Sequence, residues 1–257
     1  MDSLNDSVSN DNKVPTYQIH HPKKSPKDYF FEFFMLFLAV TLGFFVNNLS
    51  ENQSERQREK QYMTSLITDL VSDTAQIQSI HKSIVVQVHG IDSVTRILEN
   101  RDQKNFVSNL YYFSLKYLNN ANFFTGSDRT ISQLKSAGGL RLIQRKGESD
   151  KIVEYYSSME NVSYNTESAL KEFYRISDFE RELFDFGVLR VKRLNIDSLR
   201  YTKNLKLLNG DPLKISYFYN QTLLYMSALI NYNQLITDLR KQADSLIIFT
   251  KKSYRID

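Results

Sequence analysis

From Tyr29 to Val46 the chain reads YFFEFFMLFLAVTLGFFV, 18 residues in which Glu32 is the only side chain expected to carry charge. Apolar residues fall on every side of a helix drawn through this stretch, whereas a helix packed on a soluble core shows a polar stripe. At about 1.5 Å per residue it covers roughly 27 Å, and extension to Leu49 brings it to the roughly 30 Å of a bilayer's hydrocarbon. Seven Phe, three Leu and two Val favour insertion by about 5 kcal/mol, against a cost of about 3 kcal/mol for an acid at mid-membrane and less for one near the end, where Glu32 lies. A transmembrane helix over 29–49 is expected. A cleaved export signal fits poorly, because a long tail precedes the apolar run and Phe44, Phe45 and Val46 stand where small residues belong.

Past the span the pattern becomes heptad. Met63, Ile67, Leu70, Thr74, Ile77, His81, Ile84, Val88, Ile91, Thr95 and Leu98 alternate steps of four and three, the spacing of a helix seam. Leu66, Val71, Ile80, Val85, Val94 and Ile97 widen it into a face suited to a bundle. The linking SENQSERQREKQ has no Gly or Pro, so the span is free to continue into this helix, with a fresh start capped by Ser54 and Gln57 as the alternative. Phe106, Leu110, Phe113 and Tyr117 predict a second helix, and NNANFFTGSD reads as a loop. A short helix over 131–136, capped by Asp128 and stopped at Gly138 and Gly139, follows. Ser149 or Asp150 opens a long helix with Ile152, Tyr156, Met159, Ser163, Thr166, Leu170 and Phe173 on its seam, running toward Phe184 and ended by Gly187. Asp211 and Pro212 cap and start the last one, which carries Phe218, Thr222, Tyr225, Leu229, Tyr232, Ile236, Leu239, Ala243, Leu246 and Phe249. Strand alternation competes nowhere. The expected fold is all-α: a disordered tail over 1–28, a transmembrane helix over 29–49, and an elongated antiparallel helical bundle over 50–257.

Composition sharpens this picture. Glycine (8) and proline (4) are scarce, and without cysteine there is no disulfide, thiolate metal site or cysteine nucleophile. The +4 net charge arises from 33 basic and 29 acidic residues that are mostly interspersed, so no nucleic-acid partner is expected. Lys23, Lys24 and Lys27 abut the span more closely than Arg56, Arg58 and Lys60, which points to a cytoplasmic N-terminus. For a bacterial source the expected location is the inner membrane, with the helical domain periplasmic.

Two stretches, KDYFFEFFMLFLAVTLGFFVNNLSENQSERQREKQYMTSLITDL and TISQLKSAGGLRLIQRKGESDKIVEYY, together resemble an uncharacterised family of single-span helical membrane proteins frequent in Bacteroidetes, a domain of unknown function. The matching residues are Leu134, Gly138, Leu140, Leu142, Ile143, Tyr155 and Tyr156, and the resemblance covers roughly the first two-thirds of the chain. It implies a membrane topology and a source. It supplies no catalytic residue.

Candidate chemistry is sparse. His20, His21, His81 and His89 are the only histidines, and eight residues of helix hold the last two about 12 Å apart along the axis, too far to share an ion. His81 reads as a core polar residue. Asp69, Asp73, Glu180, Glu182 and Asp185 lack the Glu-x-x-His pairing of a di-iron bundle and read as solvated faces. Phosphate loops, nucleophile elbows and zinc-protease helices are missing from the sequence, so neither enzymatic activity nor a cofactor is expected. RVKRLNIDSLRYTKNLK is the most uneven charge, with Arg190, Lys192, Arg193, Arg200, Lys203 and Lys206 against Asp197, a candidate contact for an anion or a partner. Off-seam Tyr111, Tyr112, Tyr155, Tyr217 and Tyr219 are candidate partner contacts. The expected function is that of a membrane-anchored interaction or scaffolding module, its partners the bilayer and a protein or a second copy. The rival is a ligand-sensing bundle working through a separate transducer.

Overall fold

The computed structural model describes residues 25–136, 138–192 and 196–256. Among these the chain is all-helical, 82% helix without strands. The long helices are α1 (Pro26–Glu99), α4 (Glu148–Leu183) and α7 (Pro212–Tyr254). Shorter ones are α2 (Phe106–Tyr117), α3 (Arg129–Ser136), α5 (Gly187–Lys192) and α6 (Ile196–Leu199), with a 3-10 turn over Gly139–Leu142. The chain divides into two compact units, Met1–Ser54 and Glu55–Asp257. Most of the expected tail, residues 1–24, lies outside the described residues.

In the first unit the helix starts earlier than expected. Pro26 occupies the first turn, and the Asp28 carboxylate accepts the Ser25 N–H at 2.8 Å, a proline start with one half of a capping box. Ser54 opens no new helix, since helical backbone runs from Pro26 through Glu99.

In the second unit the α7 seam is buried as the heptads predict, from Phe218 to Leu246, with Phe249 half-buried. The α1 and α4 seams are buried in part: Met63, Ile67, Leu70, Ile77, Ile84, Ile91, Thr95 and Leu98 on α1 and Ile152 and Tyr156 on α4 lie inside as expected, and other seam positions are corrected. On α1 the buried line is Met63, Leu66, Leu70, Asp73, Ile77, Ile80, Ile84, Gln87, Ile91, Val94 and Leu98. Thr74, His81 and Val88 are only half-buried, and Val71 and Val85, expected to widen the face, are exposed. An apolarity criterion passes over Asp73 and Gln87, which this fold needs inside as hydrogen-bonding groups. On α4 the inward residues are Tyr155, Val162 and Ala169, while Ser163 is exposed and Leu170 half-buried. Small Ala169 suits that place, because α4 and α7 pack most closely of the long helices, and Ser168, Ala169, Ser227 and Ala228 line one groove between them.

Chain direction follows from the cross-links. Glu59 meets Tyr254, His81 meets Asn233 and Glu99 meets Tyr219, so α1 and α7 run oppositely. Lys214 meets Glu182 and Gln221 meets Glu172, so α4 and α7 do too. The chain between α2 and α4 runs back along α1: Gln87 reaches Tyr117 and Asn120, Asp73 reaches Ser127, and Glu59 reaches Gln144. It acts as a fourth, broken column.

Local stops explain the breaks. Gly138 (φ 63) ends the α3 region as expected, a left-handed position that glycine fills without strain. Gly147 (φ 79) precedes α4, two or three residues ahead of the expected start at Ser149 or Asp150. Gly187 opens α5 instead of ending α4, which stops at Leu183 because Phe184 turns extended and Asp185 accepts the Gly187 N–H at 2.9 Å.

Candidate functional site

The first unit presents a surface that water disfavours. Its helix contains an 18-residue window of mean hydropathy 2.1, none of it buried. Met35, Leu36 and Phe44 are 67%, 69% and 70% exposed. Phe30 stacks on Phe34 and Phe33 on Phe37 along the helix surface. The Thr41 hydroxyl, in the middle of the apolar stretch, donates to the Phe37 carbonyl at 2.8 Å, which satisfies it within the helix, as an apolar environment demands. This helix is long and apolar enough to cross a membrane.

The second unit carries three buried polar layers. Two are founded on α1 residues two heptads apart, Glu59 and Asp73, and the third on Gln87, two heptads further. In the first layer Glu59 accepts the Gln144 N–H at 2.8 Å and the Tyr254 hydroxyl at 2.6 Å, while Thr250 donates to Glu148. Burial pushes the Glu148 carboxyl above its ordinary range, opposed by the bond from Thr250. Burial likewise raises the Tyr254 phenol, and the Glu59 bond adds to it.

In the second layer Asp73 accepts the Ser127 N–H at 3.0 Å and the Tyr155 hydroxyl at 2.8 Å. Asp69 accepts the Thr130 N–H at 3.3 Å, the Thr130 hydroxyl and the Arg129 guanidinium at 2.8 Å. Carboxylates from α1 thus take the capping role at the start of α3 that the sequence suggests for Asp128. Burial raises the Asp73 carboxyl against the lowering effect of its Tyr155 and Ser127 bonds, and raises the Tyr155 and Tyr156 phenols, with Asp69 and Asp73 adding to both.

In the third layer the Gln87 amide donates to the Tyr117 and Asn120 carbonyls at 2.9 and 2.8 Å, and the Tyr225 hydroxyl donates to Asn120 at 3.0 Å. Close by in this network, Glu180 is 1% exposed, and one of its oxygens has no partner among the described residues. Burial pushes its carboxyl up to about 8, despite a bond with Asn119, and burial also pushes the Tyr225 phenol up to about 12, the Glu180 charge adding to it. Tyr232 extends the same logic by accepting the Phe124 N–H at 2.7 Å. In all three layers polar side chains satisfy the exposed backbone of the broken column, which has no helix ladder of its own over 118–128.

These placements correct several expectations. Asp69, Asp73 and Glu180 are buried, not solvated; Glu182 and Asp185 are exposed, Glu182 pairing with Lys214 at 2.8 Å. Tyr111, Tyr112 and Tyr155 are buried: inside, Tyr111 donates to the Lys206 carbonyl and accepts the Asp185 N–H, while the Tyr112 hydroxyl reaches the surface and accepts from exposed Lys116. Tyr217 is exposed, and Tyr219 donates to Glu99. His81 is half-buried and bonded to Asn233 at 2.9 Å, while His89 is exposed. Among the described residues no three His, Asp or Glu side chains are placed to hold a metal ion.

The basic stretch forms the connection from α4 to α7. Arg190, Arg200, Lys203 and Lys206 are exposed, Arg193 lies outside the described residues, and Lys192 closes α5. Arg200 sits 5.7 Å over the rings of both Tyr112 and Phe113, and Lys116 pairs with Asp197 at 3.0 Å. Part of this charge therefore fastens the connection to α2. Comparison with family models, curated proteins and solved structures finds no match.

Proposed function

We propose that this chain is a single-pass, membrane-anchored helical bundle that acts as a non-catalytic interaction or scaffolding module. The anchor is residues 29–49, placed in a bacterial inner membrane with the N-terminus cytoplasmic and the bundle periplasmic, a reading in keeping with the resemblance to the single-span Bacteroidetes family. The observation that carries it is the fully exposed, all-round apolar surface of that helix, which costs free energy in water and gains it in lipid. A binding role is supported by apolar side chains left on the outside of the bundle: Tyr164 and Tyr174 on α4 are 73% and 61% exposed, and Leu224 and Ile248 on α7 are 55% and 68% exposed. A non-catalytic role is supported by the buried acids, each closed off from solvent and bonded to groups of the fold itself.

The test is crosslinking in intact membranes from photoreactive residues at Tyr164 and Tyr174. A discrete adduct, either with a second copy or with one partner, is expected. Monomer alone from both positions contradicts the interaction reading. A cytoplasm-active reporter fused after Asp257 is expected to stay silent, and strong signal reverses the topology.

A further inference from the structure

One end of the bundle is an open basin built from three separate segments. The first turns of the second unit supply Arg56 and Lys60, the chain ahead of α4 supplies Arg145, and the end of α7 supplies Lys252, Tyr254 and Arg255. Two adjoining cavities of about 490 and 680 Å³ share Arg145 and Tyr254 as common wall. All five cations are exposed, and among the described residues none has an ion pair. Cations elsewhere on the bundle are in part paired, as Lys116 with Asp197 and Arg175 with Glu172, whereas here five converge on two adjoining cavities without an acid partner among the described residues. The acids beneath the basin, Glu59 and Glu148, are buried, and Glu59 is engaged by the Gln144 N–H and the Tyr254 hydroxyl. Arg145 is held 5.6 Å over the Tyr254 ring, which keeps its N–H edge available. Half-buried Glu55 precedes Arg56 and leaves the cations in excess.

We propose that this basin binds the phosphate of an anionic phospholipid headgroup, an inference that rests on residues 29–49 lying in a bilayer. Guanidinium and ammonium donors around an open cavity are the chemistry of phosphate recognition. Chain length favours the lipid over a soluble phosphate: Arg56 follows Leu49 by seven residues, at most about 25 Å even fully extended, which tethers this segment to the membrane and raises the local concentration of headgroups. Basic side chains at an anionic leaflet each strengthen binding about fivefold.

Two measurements on the full chain separate this inference from the anchor it rests on. Flotation with vesicles of phosphatidylcholine alone reads the anchor, since no anionic lipid is present. Native mass spectrometry from detergent, with phosphatidylglycerol or phosphatidylcholine of the same acyl chains added, reads the basin. Preferential retention of phosphatidylglycerol is expected, weakened about 25-fold in Arg145→Gln/Arg255→Gln and unchanged in Lys82→Gln/Lys104→Gln, two exposed lysines away from the basin. If the first pair disturbs folding by circular dichroism, Arg56→Gln/Lys252→Gln, both freely exposed, gives the same reading. Equal retention of the two lipids by a chain that floats, or undiminished retention by the basin variants, overturns the inference while leaving the anchor intact. Displacement of the lipid by millimolar inorganic phosphate assigns the basin to a soluble phosphate and overturns it as well.

Discussion

Glu180 offers a quantitative handle on the bundle interior. Its carboxyl is 1% exposed and held at about 8 by burial, against an ordinary value of 4.5. A raised acid binds its proton more tightly in the folded chain than in the unfolded one. Stability from this group is therefore fully present below pH 4.5, falls as pH rises, and is lost once pH passes about 8. The slope approaches about 1.4 kcal/mol per pH unit inside that window, so pH 5 to pH 7 costs about 2 to 3 kcal/mol and the full loss is about 5 kcal/mol. Glu180→Gln keeps the shape and the bond with Asn119 but has no charge to bury. Asp73 and Glu148 are also raised and give the same trend, so the informative quantity is the difference between the two proteins. Guanidinium denaturation of full-length protein in detergent, followed by circular dichroism from pH 5 to pH 9, is expected to show the variant gaining steadily on the wild type as pH rises. Parallel stability curves would refute the reasoning, because they mean that Glu180 is solvated or paired in the fold.

Tyr155→Phe removes the hydroxyl that Asp73 accepts at 2.8 Å and is expected to cost about 1 to 3 kcal/mol in the same denaturation; an unchanged midpoint places Asp73 in water. Gly90 lies in α1, two to three turns before its C-terminal end, and a Cβ there would come within 2.0 Å of the Tyr117 ring. Gly90→Ala therefore overpacks the α1–α2 contact, and a net loss of up to about 2 kcal/mol remains after the roughly 1 kcal/mol gain in helix propensity; a stabilised variant refutes that contact. In the first unit, Phe37→Arg with Val40→Asp puts two charges at the centre of the apolar window, at about 3 kcal/mol each. The membrane-bound fraction of the variant, read by sedimentation of cell membranes, is expected to collapse, and retention equal to wild type contradicts a lipid-facing helix.

Legibility in the sequence followed the range of the interactions. The apolar window over 29–46 is a local property, incompatible with water on every face, so composition alone reveals it. The α7 seam is legible because its inward positions, Phe218 through Leu246, are nearly all apolar. The α1 seam is only half legible, since Asp73 and Gln87 occupy core positions to meet backbone groups some 30 to 54 residues away. For the same reason the stretch after α2 reads as a plain loop although it runs packed along α1. Asp69, Asp73 and Glu180 read as solvated, and Tyr111, Tyr112 and Tyr155 as surface contacts, because long-range bonds leave no periodic trace. One trace exists in retrospect: Glu59, Asp73 and Gln87 recur every two heptads, a polar period inside an apolar one. The basin is equally invisible along the chain, since Arg56, Arg145 and Arg255 come from distant segments.

The placement of residues 29–49 in lipid is tested most directly by washing membranes of cells expressing the full chain with alkaline carbonate and then ultracentrifuging them. The protein is expected in the pellet, released only by detergent. Recovery in the supernatant as a compact, monodisperse particle without detergent would contradict the anchor and every functional reading built on it.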